Sequence, residues 1–460
     1  MTSAPSRVTV LHRRNSCFMG GGLLGLFFAL SGSAVAMDLS QAFSAAQQRD
    51  VTILAARASA RGGRERIAQA FSQLLPSVTA SLGRNQNQLS STTPDFLGQA
   101  QTSEQQYASS NRSLSVRQPL YRPYQMEQYR QAQAQVRESD ALLEDDEQNL
   151  AVRVTASYFD ALLAAEQLAL IEAQKRIHET YLDVAKKKLA VGEGTRTDSD
   201  EAQTRLDMTR AQEVEARENV DYTLQQLQAL VGQPVGTLAP LRATLLELAE
   251  PQPNRVDSWI ERGEANNRHF QSLTARLEAA QMEVKKASLG HYPTLDAVAQ
   301  WSRSDSENVT NVNSRYTNTS LGIQLNVPIY AGGGVNSSVR QALAGVEFAE
   351  QSLAMGRRDL GLSIRKEYRG INESIAKIRA LEQALKSADQ LILANQKSMQ
   401  AGTRTMVDVL NAEQLRAGVV RDLAQSRYTY LMSRIKLLAL VNAADAAAIN
   451  TVNLVFKAEK

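Results

Sequence analysis

The chain of 460 residues carries 51 basic and 48 acidic side chains, four histidines and one cysteine, a length that allows two or three ordinary domains. So small a charge excess gives no case for a nucleic-acid partner, and a single cysteine excludes an internal disulfide framework. No segment beyond residue 36 approaches 18 consecutive apolar residues, so a spanning helix is excluded and any membrane crossing has to be a closed barrel.

The first 36 residues read as a secretory signal peptide. Arg7, Arg13 and Arg14 form a basic start, Leu23 to Leu30 an apolar run, and Ala34-Val35-Ala36 a small-residue cleavage site before Met37. Cys17 precedes the apolar run, so no cysteine stands at the cleavage point to take a lipid anchor. Those three arginines are the whole basic excess. The mature chain would carry 48 charges of each sign.

Proline and glycine divide the remainder. A helix from residue 37 leads to a β-like patch in which Val78, Ala80 and Leu82 alternate with Ser77, Thr79 and Ser81. After a polar stretch, Leu114 and Val116 alternate with Ser113, Ser115 and Arg117. This predicts strands near 77–88 and 108–118. From Tyr124 to Val191 there is neither Pro nor Gly, and strong helix formers dominate. These 68 residues would extend about 100 Å as a helix, far beyond the ordinary globular length. Val154, Ala161, Leu168, Leu182 and Leu189 fall on one seven-residue spacing, with Ala164, Ile171 and Ala185 on a second, which is a coiled-coil seam. Another helix starts near 197 and closes a first unit, 37–250.

Residues 251–460 repeat the plan: a helix, strands near 293–304 and 315–328, helices to about 443 and a short C-terminal segment. In the third strand Leu295, Ala297, Ala299 and Trp301 alternate with Asp296, Val298 and Gln300; in the fourth, Leu321, Ile323, Leu325 and Val327 alternate with Gly322, Gln324 and Asn326. The duplication is also literal. Pro119-Leu120-Tyr121 matches Pro328-Ile329-Tyr330, Val152, Val154 and Tyr158 match Leu362, Ile364 and Tyr368, and Gly194-Thr195-Arg196-Thr197 is identical to Gly402-Thr403-Arg404-Thr405. Two surface hairpins of a soluble α+β protein would give the same alternation. If the strands are a barrel, however, four cannot close it, and an open edge cannot lie in lipid. The missing strands then come from other copies, and three chains give 12.

Signal, duplication, proline-flanked strand pairs and the turn Gly402-Thr403-Arg404-Thr405-x-x-Asp408-Val409-Leu410 together resemble the TolC family of outer-membrane efflux and secretion channels, over nearly all of residues 37–456. The resemblance implies a mainly α fold with membrane β: a homotrimer whose 12-stranded β-barrel continues into an α-helical coiled-coil tunnel in the periplasm. It implies a passive duct set in outer-membrane lipid, with a periplasmic adaptor and an inner-membrane pump of ABC, RND or MFS type as partners. A protein, a peptide or a small drug would all fit such a duct.

Taken as residues alone, the two Gly-Thr-Arg-Thr turns are capped helix hairpins. Gly194 and Gly402 suit the left-handed end of a helix, Thr197 and Thr405 suit the next N-cap, and Asp200 and Asp408 follow in the first turn. The family resemblance adds a gate. It implies that second-repeat tips turn inward, that Arg404 bonds a neighbouring hairpin at Ser199 and Asp200, and that three Asp408 side chains ring the axis, where like charges raise each other's pKa and attract cations. Where many relatives carry a second carboxylate this chain has Asn411, which removes one acidic ring, and Met399 replaces an aromatic link.

Other features are weak. His12 lies in the signal, and His178, His269 and His291 lack metal-ligand spacing, with His178 on the second heptad line. Asn308-Val309-Thr310 fits the short glycosylation pattern, and Gly332-Gly333-Gly334 lacks phosphate-loop spacing. There is no nucleophile–base pair and no nucleotide motif, so neither enzyme activity nor a cofactor is expected. The competing readings are a periplasmic coiled-coil adaptor without a pore and, further off, a periplasmic hydrolase.

Overall fold

A computed structural model describes residues 36–307 and 314–456. Apart from Ala36, the proposed signal peptide with Cys17 falls outside the described residues, as does Asn308-Val309-Thr310. The elements in order are α1 (Leu39–Arg49), α2 (Val51–Ser72), β1 (Ser77–Pro94), β2 (Ala100–Tyr121), α3 (Pro123–Ala190), α4 (Arg196–Val231), α5 (Val256–Asn266), α6 (Arg268–Ser288), β3 (Thr294–Ser306), β4 (Ser314–Asn326), α7 (Gly334–Gln400), α8 (Met406–Leu440) and α9 (Ala446–Asn453). The helix read from Tyr124 to Val191 is continuous over 68 residues, with Pro123 in its first turn, where a missing N–H costs nothing.

Each repeat opens with two helices joined through one extended residue, Asp50 in the first and Asn267 in the second. Both side chains cap the following helix, Asp50 accepting from the Ile53 N–H at 2.9 Å and Asn267 from the Phe270 N–H at 2.8 Å. Asp50 is 2% exposed and also pairs with Arg153 of α3 at 3.2 Å. Burial pushes its carboxyl up, but the Ile53 N–H and the Arg153 guanidinium outweigh this and hold it below the usual carboxylate range. Asp50→Ala should therefore cost about 1–2 kcal/mol, mainly the lost cap, since Arg153 keeps water and Thr52 as partners. Because the folded pKa lies below the unfolded one, that contribution is complete above the unfolded value of 3.8 and is lost as pH falls through the folded value. Urea unfolding at neutral pH should separate the variant from wild type, and the gap should narrow as pH falls below 3.8.

The middle of the molecule is a collar that fixes the long helices. Tyr158 of α3 is fully buried and donates to the Met37 and Ala239 carbonyls at 3.0 and 3.2 Å, holding the segment before α1 and the inter-repeat linker together. Tyr430 of α8 does the same for residues 247–249. Phe159, Tyr428 and Phe456 stack among them, and Asn453 of α9 accepts from the Leu39 N–H at 3.0 Å. These rings, with Leu39, Phe43, Leu150, Val154, Ile364, Ile371 and Ile435, make the main core.

At one end of the helices the four strands form one antiparallel sheet in the order β1-β2-β3-β4. β1 and β4 are its edges, and among the described residues neither pairs with anything further. The register lines up Val78, Val116, Ala299 and Leu321 across all four strands, with Ala80, Leu114 and Trp301 in the next row and Ala297 beside Ile323 in another. One face is thus apolar. The opposite face carries the row Thr79, Ser115, Gln300 and Ser320. Leu321, Ile323 and Leu325 are 62–85% exposed in the single chain. An ion pair ties this sheet to the helices: Arg122, just ahead of α3, donates to Asp296 of β3 at 2.9 and 2.5 Å, and Arg117 lies 3.8 Å away.

Candidate functional site

At the other end lie the two helix turns, and their geometry corrects the repeat register. α3 and α7 end at Ala190 and Gln400, and α4 and α8 start at Arg196 and Met406, so the turns superpose at an offset of 210. The identical Gly-Thr-Arg-Thr strings are 208 apart and are therefore not structural equivalents. Gly192, not Gly194, takes the left-handed conformation (φ 80°) that matches Gly402 (φ 74°). Thr195, not Thr197, caps α4 through a reciprocal box with Asp198, as Thr405 caps α8 with Asp408. The reason is local. The first repeat offers two threonine–aspartate pairs three residues apart, Thr195–Asp198 and Thr197–Asp200, whereas in the second Thr403 is followed by Met406 and only Thr405–Asp408 is available. The first turn uses the earlier pair, and Gly194, not Arg196, is the counterpart of Arg404.

Within one chain Arg404, just ahead of α8, pairs with Asp408 in its first turn at 3.3 Å, and Arg196 lies 3.8 Å from Asp200. Ser199 is half-buried beside them. Asp408 accepts from the Thr405 N–H at 3.0 Å and its hydroxyl at 2.9 Å. These two bonds, with Arg404, hold its carboxyl below the usual carboxylate range, so it carries charge at neutral pH. Within the chain this acts against the upward shift expected from threefold repulsion.

A residue that sequence reading missed joins the two hairpins. Arg205 of α4 reaches across to α8, donating to Asn411 at 2.8 Å and Gln414 at 3.3 Å, and is held from behind by Glu201 at 2.9 Å. Its side chain is only 20% exposed. In sequence it is one arginine among many on a long helix, and its i,i+4 glutamate is the sole signal. Asn411, read only as a missing carboxylate, is thus the acceptor of a bond between repeats.

The packing beneath is thin. Ala185, Met406 and Leu410 form a small apolar cluster with Tyr181, Val184 and Met399, and Leu182, Ala202 and Leu206 form another. Met399, in place of the aromatic link, packs into the first of these. His178 bonds Thr209 at 2.8 Å, and burial followed by the Arg205 charge keeps its pKa low, so it behaves as a neutral interface residue. Little apolar area is thus buried at the tips compared with the collar.

The model of the outer membrane efflux protein family matches residues 42–233 and 259–443, the two repeats. The chain is 33% identical to the alkaline protease secretion protein AprF of Pseudomonas aeruginosa, covering 94% of this chain and 90% of that protein. It is 31% identical to the proteases secretion protein PrtF of Dickeya chrysanthemi, covering 90% of each. Its fold matches the crystal structure of the CmeC outer membrane channel of Campylobacter jejuni with a TM-score of 0.74 at 14% identity, over 91% of this chain and 89% of that one.

Proposed function

The chain belongs to the outer membrane efflux protein family, and from that premise we propose that three copies assemble as the exit duct of an export machine. It is an outer-membrane channel protein. One observation carries the assembled reading: a four-stranded sheet with one apolar face and two open edges, mounted on helical hairpins about 100 Å long. In lipid those edges have to be paired, and a neighbouring copy supplies the strand. Twelve strands enclose a water-filled lumen lined by the serine- and threonine-rich face. The helices then form the periplasmic tunnel, with Arg404, Asp408, Asn411, Ser199 and Asp200 at its mouth.

The chain has no nucleotide-binding motif, so energy comes from an inner-membrane pump of ABC, RND or MFS type, reached through a periplasmic adaptor. For cargo, two relatives at 31–33% identity over 90% or more of this chain are named for protease secretion, and this favours an exported protein. Heat-resistant trimers in the outer-membrane fraction and discrete conductance steps in planar bilayers are the expected results. A monomer in the periplasmic fraction with no conductance would support the adaptor reading instead. Deletion of the gene should abolish secretion of a protein substrate; a change confined to drug sensitivity would reassign the cargo.

A further inference from the structure

The apolar face of the sheet does not end in neutral side chains. Following the same face away from the helices, the rows continue as Leu82, Arg112, Arg303 and Thr317, then Arg84, Ser110, Asp305 and Arg315. Arg112 stands directly opposite Arg303, with Arg84 diagonal to Arg112. Like charges directly opposite across a sheet repel. Asp305 answers part of this, pairing with Arg303 at 3.3 Å and with Arg315. Glu307 lies at the end of the same face, its N–H bonded to the Ala108 carbonyl. Arg84 and Arg112 have no hydrogen-bond or ion-pair partner among the described residues, and both are exposed. A hollow of about 540 Å³ lies between them, lined also by Ser110, Asp305, Glu307 and Arg315.

The height of this cluster identifies its surroundings. From Leu325 to Thr317, in the row of Arg112 and Arg303, is eight residues of β4, and to Arg315, in the row of Arg84, it is ten; at about 3.4 Å per residue and a strand tilt of about 35–45° the two rows stand roughly 19–22 Å and 24–28 Å along the membrane normal. That matches the apolar band of outer-membrane barrels, about 25 Å tall. Trp301, one step below Arg303 on the same face, stands where interfacial aromatics collect. The arginines therefore project outward at the distal headgroup level, where anionic phosphate is the available counter-charge. Arginine is suited to it, because its planar fork binds phosphate oxygens in pairs.

We propose that Arg84, Arg112 and Arg303 form a binding belt for the phosphate groups of outer-leaflet glycolipid, repeated on each copy around the barrel. The belt rests on the outer-membrane reading, and conductance of the same preparations reports on that reading separately. The probe is diphosphoryl lipid A, titrated into detergent-purified full-length trimer and read by native mass spectrometry. Wild type should bind it and release it as salt rises. Arg112→Gln with Arg303→Gln should weaken binding by roughly 25-fold, at about fivefold per arginine, while Arg358→Gln on α7, far along the chain from the strands, leaves it unchanged. Should the double variant fail to form trimers, Arg84→Gln is read in its place, with a loss of about fivefold. Equal binding by the variants, or by dephosphorylated lipid A, would overturn the belt. So would displacement of the lipid by millimolar inorganic phosphate, which would mark a site for the free anion.

Discussion

Ile323→Arg is expected to destabilise the assembled channel by roughly 1–2 kcal/mol per chain, between the midplane and interface values because Ile323 lies in the lower part of the apolar band, whereas Gln324→Arg should change it by well under half as much. The two residues are adjacent in β4 but point to opposite faces. Ile323 stands beside Ala297 on the face that also carries Leu321 and Leu325. An arginine there has only hydrocarbon around it and must distort the bilayer to reach water. Gln324 stands opposite Asp296, on the face of serines, threonines and glutamines, so an arginine would meet both water and a carboxylate. Urea titration of the trimer in lipid vesicles measures the difference. Equal tolerance at the two positions would remove the lipid-facing assignment and return the sheet to the surface of a soluble protein.

The alternation that makes this prediction possible was legible only within part of each strand. β1 and β2 continue to Pro94 and from Ala100, well beyond the expected ends near 88 and 108. Between Arg84 and Arg112 both faces carry Gln, Asn, Ser and Thr, because that part of the hairpin extends past the apolar band. Without lipid on one face, period-two hydrophobicity vanishes although the hydrogen-bonded ladder persists. The long helices were plain from the absence of Pro and Gly. The collar was not, since Tyr158 and Tyr430 hold loops distant in sequence, and no local pattern announces such contacts.

The turns teach the opposite lesson, because an identical string misled. Four matching residues at an offset of 208 outweighed the looser match of Tyr158 with Tyr368 at 210, yet backbone conformation follows the capping box, and the box in the first repeat starts two residues earlier. Identity of letters records descent. Which threonine caps is decided by whether an aspartate lies three positions on.

This rearranges expectations for the gate. Hypothesis: the closed tip is held by Arg205 within each chain and by Arg404 between chains. The Arg404–Asp408 pair seen in one chain is exposed and solvent-screened, so it is weak and gives way readily to a stronger acceptor. Asp200 of a neighbouring copy would be such an acceptor, its own contact with Arg196 being long at 3.8 Å. Arg205 is different. It is mostly buried, carries three acceptors and bridges the two repeats. Well-made charged hydrogen bonds contribute about 1.5–3 kcal/mol, and threefold repetition makes the set sufficient to govern opening. Arg205→Ala should therefore raise single-channel conductance in planar bilayers more than Arg404→Ser does, and the two together more than either. Asn411→Leu should reproduce part of the Arg205 effect by removing its acceptor. Asp408→Ala tests the mouth separately: it removes three carboxylates and should weaken block by multivalent cations from the periplasmic side, with the loss of one half of the capping box of α8. If Arg205→Ala forms trimers whose conductance equals wild type, the contact with Asn411 is packing only, and the closed state is held between copies rather than within them.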